Sequence, residues 1–446
     1  MNRTTLWNLS SKEVQIFFIR FHFFAYLCPT IFQSLQDMKR ITLTAPASIR
    51  TTIQLPSSKS ICNRALIINA LAKGTYVPQN LSDCDDTRVM TRALQDMPET
   101  IDILAAGTAM RFLTAFLSVT EGTHLITGTA RMKQRPIQIL VDALRTLGAN
   151  IEYVENEGFP PLRITGSRLT GSELSLPGNV SSQYISALLM IAPTLEQGLT
   201  LHLTGEIISR SYINLTLQLM HEFGAEAGWT TENTLSVSPR PYRSRPYYIE
   251  SDWSASSYWY EIAALADEAE IVLPGLFRHS FQGDSKVAGL FEPLGVETIY
   301  EEQRVVLRKN GNRIPRMDYD FINQPDLAQT FVVTCALLDI PFRFTGLQSL
   351  KIKETDRIAA LIAEMKKLGY VIREAEGSIL YWEGERCEAD AVPAIDTYED
   401  HRMAMAFAPA ILRLKRLDIN HPEVVSKSYP HYWENLLTAG FGITEA

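Results

Sequence analysis

From Lys39-Arg40-Ile41-Thr42-Leu43 onward the chain switches between two hydrophobic periods, the two-residue alternation of strands and the three-to-four-residue spacing of amphipathic helices. A helical stretch that ends in an apolar residue or two, then glycine, then a strand-type run recurs along it. The instances are Ala72-Lys73-Gly74, Thr146-Leu147-Gly148, Glu222-Phe223-Gly224, Pro293-Leu294-Gly295, Lys367-Leu368-Gly369 and Thr438-Ala439-Gly440. Glycine at that place predicts a left-handed helix cap. One such signal is weak, but six at intervals of roughly 71 to 76 residues mark an internal repeat. A unit of that length is too long for a solenoid and predicts a βαβαββ module. Leu125-Ile126-Thr127-Gly128, Leu201-His202-Leu203-Thr204-Gly205 and Phe342-Arg343-Phe344-Thr345-Gly346 recur in step, each closing a strand before a charged loop.

Six units divide into three and three. The turn-rich Leu55-Pro56-Ser57-Ser58 and the end of a Pro- and Arg-rich stretch at Ile249-Glu250-Ser251-Asp252 are the expected breaks. The segment before Pro56 is too short for a domain and is expected to add strands to the C-terminal half. The expectation is therefore an α/β (α+β) fold of two similar domains, each of three βαβαββ units: residues 38–57 plus 251–446, with 58–250 inserted. Two chain crossings at one waist leave a cleft between the halves, a usual place for ligands. Residues 1–37 read as an N-terminal extension outside this fold. Phe17 to Phe32 is apolar, but Arg20 and His22 interrupt it, and it falls short of the roughly 18 apolar residues of a spanning helix.

Composition narrows the function. A chain of 446 residues, 46% hydrophobic and 21% charged, is globular and large enough for two cores. Its net charge of −8 argues against nucleic-acid or membrane-surface binding, so basic clusters in it read as local pockets for small anions. Cys28, Cys62, Cys84, Cys335 and Cys387 are odd in number, scattered and without metal-type spacing, which suits a reducing, cytoplasmic compartment.

Those clusters sit where strands give way to helices. Lys353-Glu354-Thr355-Asp356-Arg357 puts two cations, two carboxylates and a hydroxyl between the strand-like run Pro341 to Gly346 and the helical pattern Ile358 to Leu368. A helix start offers free N–H groups and a positive end to an anion, and a glutamate between two cations can exchange a proton beside it. By itself such a loop is more often a salt-bridged helix cap. It has company, however. Ser57-Ser58-Lys59-Ser60 with Asn63-Arg64, Ala106-Gly107-Thr108-Ala109-Met110-Arg111, Arg131 to Pro136, Ser181-Ser182-Gln183, Ser209-Arg210-Ser211-Tyr212, Gln324-Pro325-Asp326, Asp400-His401-Arg402 and Ser426-Lys427 repeat the theme. Their recurrence in an acidic chain favours a cleft that holds several phosphate or carboxylate groups.

In order and wording, these loops resemble those of the 5-enolpyruvylshikimate-3-phosphate synthase family, from about Lys39 to the C-terminus. The combination of K-E-T-D-R with Asp400-His401-Arg402-Met403-Ala404 makes the resemblance specific. It implies a transferase of the shikimate pathway of aromatic amino acid biosynthesis, moving the enolpyruvyl group of phosphoenolpyruvate to shikimate 3-phosphate. It implies no cofactor and no metal, and a monomer is expected. By the same likeness phosphoenolpyruvate falls to Lys59, Gly107, Arg135, Gln183, Arg357, Arg402 and Lys427. Shikimate 3-phosphate falls to Ser60, Arg64, Ser181, Ser182, Gln183, Ser209, Tyr212, Asp326 and Lys353. The resemblance further implies that Glu354 protonates the methylene carbon of phosphoenolpyruvate while Asp326, helped by Lys353, takes the proton of the attacking hydroxyl.

Two positions depart from the family's wording: Ala105 stands where Asn is usual two residues before the pocket glycine, and Ser349 where Asn is common ahead of K-E-T-D-R. Each removes an amide from the expected site. The related UDP-N-acetylglucosamine enolpyruvyl transferases are the alternative, but they usually carry a reactive Cys in the loop that here runs Thr127 to Pro136 without one. A non-catalytic anion-binding protein on the same repeats is disfavoured by the presence of both Asp326 and Glu354. His401 reads equally as a structural residue or a ligand contact.

Overall fold

A computed structural model describes residues 39–74 and 76–446; the expected extension at 1–37 and Cys28 lie outside the described residues. The chain opens with β1 (Arg40–Thr44) and β2 (Ile49–Thr52), followed by α1 (Lys59–Leu71) and α2 (Asp85–Asp96). Next come β3 (Thr100–Asp102), α3 (Gly107–Ser118), β4 (Thr123–Thr127), α4 (Gln138–Thr146), β5 (Asn150–Tyr153) and β6 (Leu162–Thr165). The same order returns as β7 (Glu173–Pro177), α5 (Ser182–Ile191), β8 (Leu199–Thr204), α6 (Arg210–Glu222), β9 (Ala227–Trp229) and β10 (Thr234–Val237). Beyond the waist lie α7 (Trp253–Leu265), β11 (Ala269–Pro274), α8 (Val287–Phe291), β12 (Val296–Tyr300) and β13 (Arg304–Lys309). Then follow β14 (Met317–Asp320), α9 (Ala328–Leu337), β15 (Phe342–Thr345), α10 (Arg357–Lys367), β16 (Arg373–Ala375) and β17 (Ile379–Trp382). The chain closes with β18 (Ala394–Ile395), α11 (His401–Phe407), β19 (Leu417–Asn420), α12 (Tyr432–Thr438) and β20 (Gly442–Glu445).

Each complete unit folds into one four-stranded sheet with the same internal order: its first, second, fourth and third strand, as in β3-β4-β6-β5 and β7-β8-β10-β9. The first two strands run parallel across a helix, and the last two form an antiparallel pair. Two units borrow a strand from the N-terminus. β2 runs parallel to β11, with Ile49 opposite Ala269, and takes the first place in the sheet of β11, β12 and β13. β1 lies between β19 and β20, antiparallel to both, and takes the last place in the C-terminal unit. The mixed α/β, two-lobed architecture read from the sequence is therefore present, with one difference.

That difference is the sixth unit. Its helices α1 and α2 are formed, but no four-stranded sheet accompanies them among the described residues; Gln79 and Tyr248 make an isolated parallel bridge instead. The glycine signal is weakest at the same place. Gly148, Gly224, Gly295, Gly369 and Gly440 take left-handed φ values of 82° to 105°, whereas at the first landmark Lys73 takes φ 50° and Gly74 does not. Gly74 is instead required by close approach, since a Cβ there would lie 2.4 Å from Asn69 Oδ1.

Buried apolar residues form two clusters. One gathers Ile41 to Leu55 with Trp253 to Phe441, the other Ile61 to Ile249. In each, helices apolar on every side, such as α9 and α5, lie inside, and strands that alternate buried and exposed positions face outward. At the waist the two chain crossings run side by side, with Ser58 N–H donating to Glu250 O at 2.9 Å and Asp252 N–H to Pro56 O at 2.9 Å.

Within the first cluster one buried group works against stability. Glu261 of α7 is 0% exposed, and among the described residues neither carboxyl oxygen has a hydrogen-bond partner. Burial holds its pKa well above the usual carboxylate range, with the Thr334 hydroxyl opposing weakly. The unfolded chain ionises this group from about pH 4.5, whereas the native chain keeps it protonated, so stability is lost as pH rises above that value. Glu261→Met should therefore match the parent near pH 5 and exceed it by about 2 kcal/mol at pH 8. Urea unfolding at the two pH values checks this; equal midpoints at pH 8 would contradict it.

Candidate active site

Between the two clusters lies a cavity of about 500 Å³. First-turn residues of six helices line it: Lys59 and Ser60 from α1, Gly107 and Thr108 from α3, Ser182 and Gln183 from α5, Tyr212 from α6, Arg357 from α10, and His401 and Arg402 from α11. These starts present unpaired N–H groups and positive dipole ends. All the residues expected from the sequence to touch ligand line this cavity except Lys427, which reaches it through Glu354. Those expected contacts include Arg64, Arg135, Ser181, Ser209, Asp326, Lys353 and Glu354.

The K-E-T-D-R loop serves both readings made of it. Asp356 is the helix cap, accepting from Ile358 and Ala359 N–H at 3.1 Å each. The other charges turn to the cavity and are tied by Arg357, which is 1% exposed. Its guanidinium meets Glu354 Oε2 at 2.9 Å, Asp326 Oδ1 at 3.3 Å, and Asp400 at 2.6 and 3.2 Å. Asp400 also caps α11, accepting from Arg402 N–H at 2.9 Å.

Glu354 is enclosed by cations. Lys427 Nζ lies 2.9 Å from Oε1 and Arg135 Nη1 4.0 Å from the same atom. Burial alone would raise this carboxyl, but Lys427, Arg357 and Arg135 outweigh it and hold it well below the usual carboxylate range. Asp326 is in the same condition. Burial opposes ionisation, and Arg402, Lys353 and Arg357 overcome it. Arg402 Nη2 is 2.9 Å and Lys353 Nζ 3.7 Å from its oxygens, and the Tyr212 hydroxyl donates to Oδ2 at 2.9 Å. Lys353 itself is lowered by burial, only partly offset by Asp326. For Lys59, burial is overcome chiefly by Asp86, 3.6 Å away, and the ammonium is favoured.

The pairing and charge state of several named residues were not read from the sequence, nor were the carboxylates of Asp86 and Asp284. Among the described residues Arg111 lines the cavity with no carboxylate partner and an unpaired Nε; it donates to Gly107 O at 2.8 Å, and burial and then Arg135 push its pKa down to about 10. Arg64 is held on neutral oxygens, Thr216 at 2.7 Å, Ser60 O at 2.9 Å and Ser186 at 3.2 Å, and burial lowers it to about 10. Asp86 and Asp284 are buried beside the cations, the latter pushed up to about 7 by burial and then by Asp326. Asp86 could be suspected only from the acidic start of α2, and Asp284 from nothing local. His401 is buried, both ring nitrogens lack hydrogen bonds among the described residues, and burial together with Lys59 and Arg402 holds it well below its ordinary pKa, so the ring is neutral. Ser349 lines the cavity whereas Ala105 does not. Among the described residues no group of His, Cys, Asp and Glu is placed to hold a metal ion.

The fold is that of solved enolpyruvyl transferases. An EPSP synthase structure from Acinetobacter baumannii superposes with a TM-score of 0.72 at 21% identity, covering 91% of this chain and 99% of that one. The enolpyruvyl transferase NikO from Streptomyces tendae superposes at 0.69 and 14%, covering 92% and 99%. The chain itself belongs to the EPSP synthase (3-phosphoshikimate 1-carboxyvinyltransferase) family, whose model matches residues 43–104 and 98–436. A 3-phosphoshikimate 1-carboxyvinyltransferase of Bacteroides fragilis is 67% identical over 404 residues, 91% of this chain and 98% of that protein. Its counterpart from Vibrio campbellii is 35% identical over 432 residues, 90% and 99% of the two chains.

Gly107 separates two of the cations. A Cβ there would lie 2.6 Å from Arg135 Nη1 and 2.7 Å from Arg111 Nη1, so both guanidinium ends must move if one is added. Gly107→Ala should weaken binding of small dianions such as inorganic phosphate by about tenfold with the melting temperature unchanged, because only flexible side-chain ends are displaced. Calorimetric titration with phosphate, beside a thermal scan, measures both.

Proposed function

We propose that the cavity divides its cations between two anionic substrates and its two central carboxylates between two proton transfers. The enzyme moves the enolpyruvyl group of phosphoenolpyruvate to the 5-hydroxyl of shikimate 3-phosphate, releasing phosphate, in the shikimate pathway. Phosphoenolpyruvate takes the end of the cavity at Lys59, Gly107, Arg135, Gln183, Arg357, Arg402 and Lys427, where guanidinium and ammonium groups suit its phosphate and carboxylate. Shikimate 3-phosphate takes Ser60, Arg64, Ser181, Ser182, Gln183, Ser209, Tyr212, Asp326 and Lys353, with the serines on its phosphate and Asp326 on its hydroxyls. Arg111 is added to the first group because its charge meets no carboxylate.

The observation that carries the reading is the enclosure of Glu354. Its two oxygens face Lys427, Arg135 and Arg357, the cations assigned to phosphoenolpyruvate. When an anionic substrate draws those cations away, the carboxylate loses what holds its pKa down, and burial then favours the protonated acid. Substrate binding thus loads the proton that Glu354 delivers to the methylene carbon. The 5-oxygen of shikimate 3-phosphate bonds to the neighbouring carbon, and the cations stabilise the tetrahedral adduct. Glu354 takes a proton back from the new methyl group as phosphate leaves. Asp326, strongly held as a carboxylate, is a weak base, so it accepts the hydroxyl proton late, as the new C–O bond makes that proton acidic. Lys353 neutralises the charge nearby.

The two buried clusters support domains of 38–57 plus 251–446 and of 58–250. A cytoplasmic location is favoured by Cys62, Cys84, Cys335 and Cys387, all free. Among the described residues no helix is long and apolar enough to cross a membrane.

Glu354→Gln keeps size and hydrogen bonding but carries no transferable proton. It should lower kcat about 100-fold with substrate KM values nearly unchanged, read from phosphate release. An unchanged kcat removes Glu354 from proton transfer. In an Asp326→Asn background that suppresses turnover, phosphoenolpyruvate binding should be linked to greater proton uptake than in the Asp326→Asn, Glu354→Gln double variant. Calorimetry in two buffers of different ionisation enthalpy reads the difference, and equal uptake contradicts substrate-loaded protonation.

A further inference from the structure

The start of α6 belongs to one half of the molecule, and the turn Phe321–Asn323 with Gly283 belongs to the other. Three successive residues reach across. Ser209 N–H donates to Ile322 O at 2.8 Å, Arg210 N–H donates to Asn323 Oδ1 at 3.1 Å, and the Ser211 hydroxyl donates to Asn323 O. Ser209 takes left-handed backbone angles, φ 55° and ψ 37°, which are costly for serine and persist only where neighbours impose them.

Gly283 completes the seat. A Cβ on it would lie 2.4 Å from Ser211 Cβ and 2.8 Å from Ser211 Oγ, so the serine occupies the space that any larger residue would fill. No left-handed φ calls for glycine at Gly283; the requirement is the approach of the opposite half. The contact also lies next to the chemistry. One residue along α6, the Tyr212 hydroxyl bonds Asp326 Oδ2, and one short turn beyond Asn323 the chain reaches Asp326 itself.

We infer that the start of α6, held by the Ser209 and Arg210 N–H groups against Ile322 and Asn323 and given room by Gly283, locks the two halves together, and that Asn323 and Gly283 are positioning residues that set Asp326 for proton transfer only when the cleft is closed. This rests on the proposed role of Asp326. Closing brings the Ser209–Tyr212 turn, which carries two contacts of shikimate 3-phosphate, onto the loop that carries the base, so occupancy of one substrate and alignment of the base become one event. Polar backbone partners suit a lock that must release product, since water replaces them on opening.

Gly283→Ala tests it. The parent should contract on adding shikimate 3-phosphate, seen as a smaller radius of gyration in X-ray scattering. Gly283→Ala should stay expanded, keep its melting temperature, and lose at least about 30-fold in kcat/KM. Ser211→Gly in the same chain removes the clashing atoms and should restore both contraction and most of the rate, which a general folding defect would not allow. Should Gly283→Ala not fold, Asn323→Ala removes only the acceptor for Arg210 N–H and should show the same losses at smaller size. Normal contraction and rate in the variant that folds, or failure of Ser211→Gly to rescue Gly283→Ala, overturns the lock. Full activity of Asp326→Asn would instead overturn the role of Asp326, while the scattering result still decides the lock.

Discussion

One buried guanidinium organises the site. Arg357 joins Glu354, Asp326 and Asp400, which come from three separate loops, and at 1% exposure it cannot trade them for water. Removing a charged partner from such a cluster leaves an uncompensated buried charge, a change worth about 3–5 kcal/mol for a buried pair. The K-E-T-D-R loop, the Asp326 turn and the start of α11 are therefore fixed relative to one another. Around this centre, Lys59, Arg111, Arg135, Lys353, Arg402 and Lys427 bring more positive charge than the carboxylates balance. Arg111 in particular meets no carboxylate, and that excess is what an anionic substrate relieves.

The repeated module explains how so many cations reach one place. Each βαβαββ unit turns from strand to helix through a loop, and the helix starts of both halves converge on the cleft. The dipole ends and free N–H groups add to the side-chain charge without adding titratable groups. Insertion of one half into the other through two adjacent crossings makes the cleft a waist. Residues from the two sides meet there through polar contacts, such as Ser426 with Asp85 at 2.7 Å and Gln348 with Glu206 at 3.2 Å. Of these, Ser426 neighbours Lys427, so a contact across the waist again sits one residue from a site cation.

Much of this was legible before folding. The strand and helix periods, the glycine landmarks and the charged helix entrances are local patterns, and local patterns survive in sequence. They gave the module, the two-lobed α/β class and the family, and they named the residues that now line the cavity. Where the local signal was degenerate the structure departs from it: Gly74 takes no left-handed φ, and the unit it announces has helices but, among the described residues, no four-stranded sheet.

What the sequence could not decide is which charge meets which. The partners of Arg357 lie 3, 31 and 43 residues away, and Asp85 meets a serine 341 residues distant; no periodicity encodes such distances. Those meetings set the chemistry: the cations hold Glu354 and Asp326 as carboxylates against burial, while burial keeps His401 neutral and Glu261 protonated in the core. The same holds for β1, whose alternation marks it as a strand, while only packing places it between β19 and β20. Residue type and spacing fixed the inventory of groups and the module that carries them. Packing across the waist fixed protonation and pairing, because both depend on distance and dielectric in three dimensions.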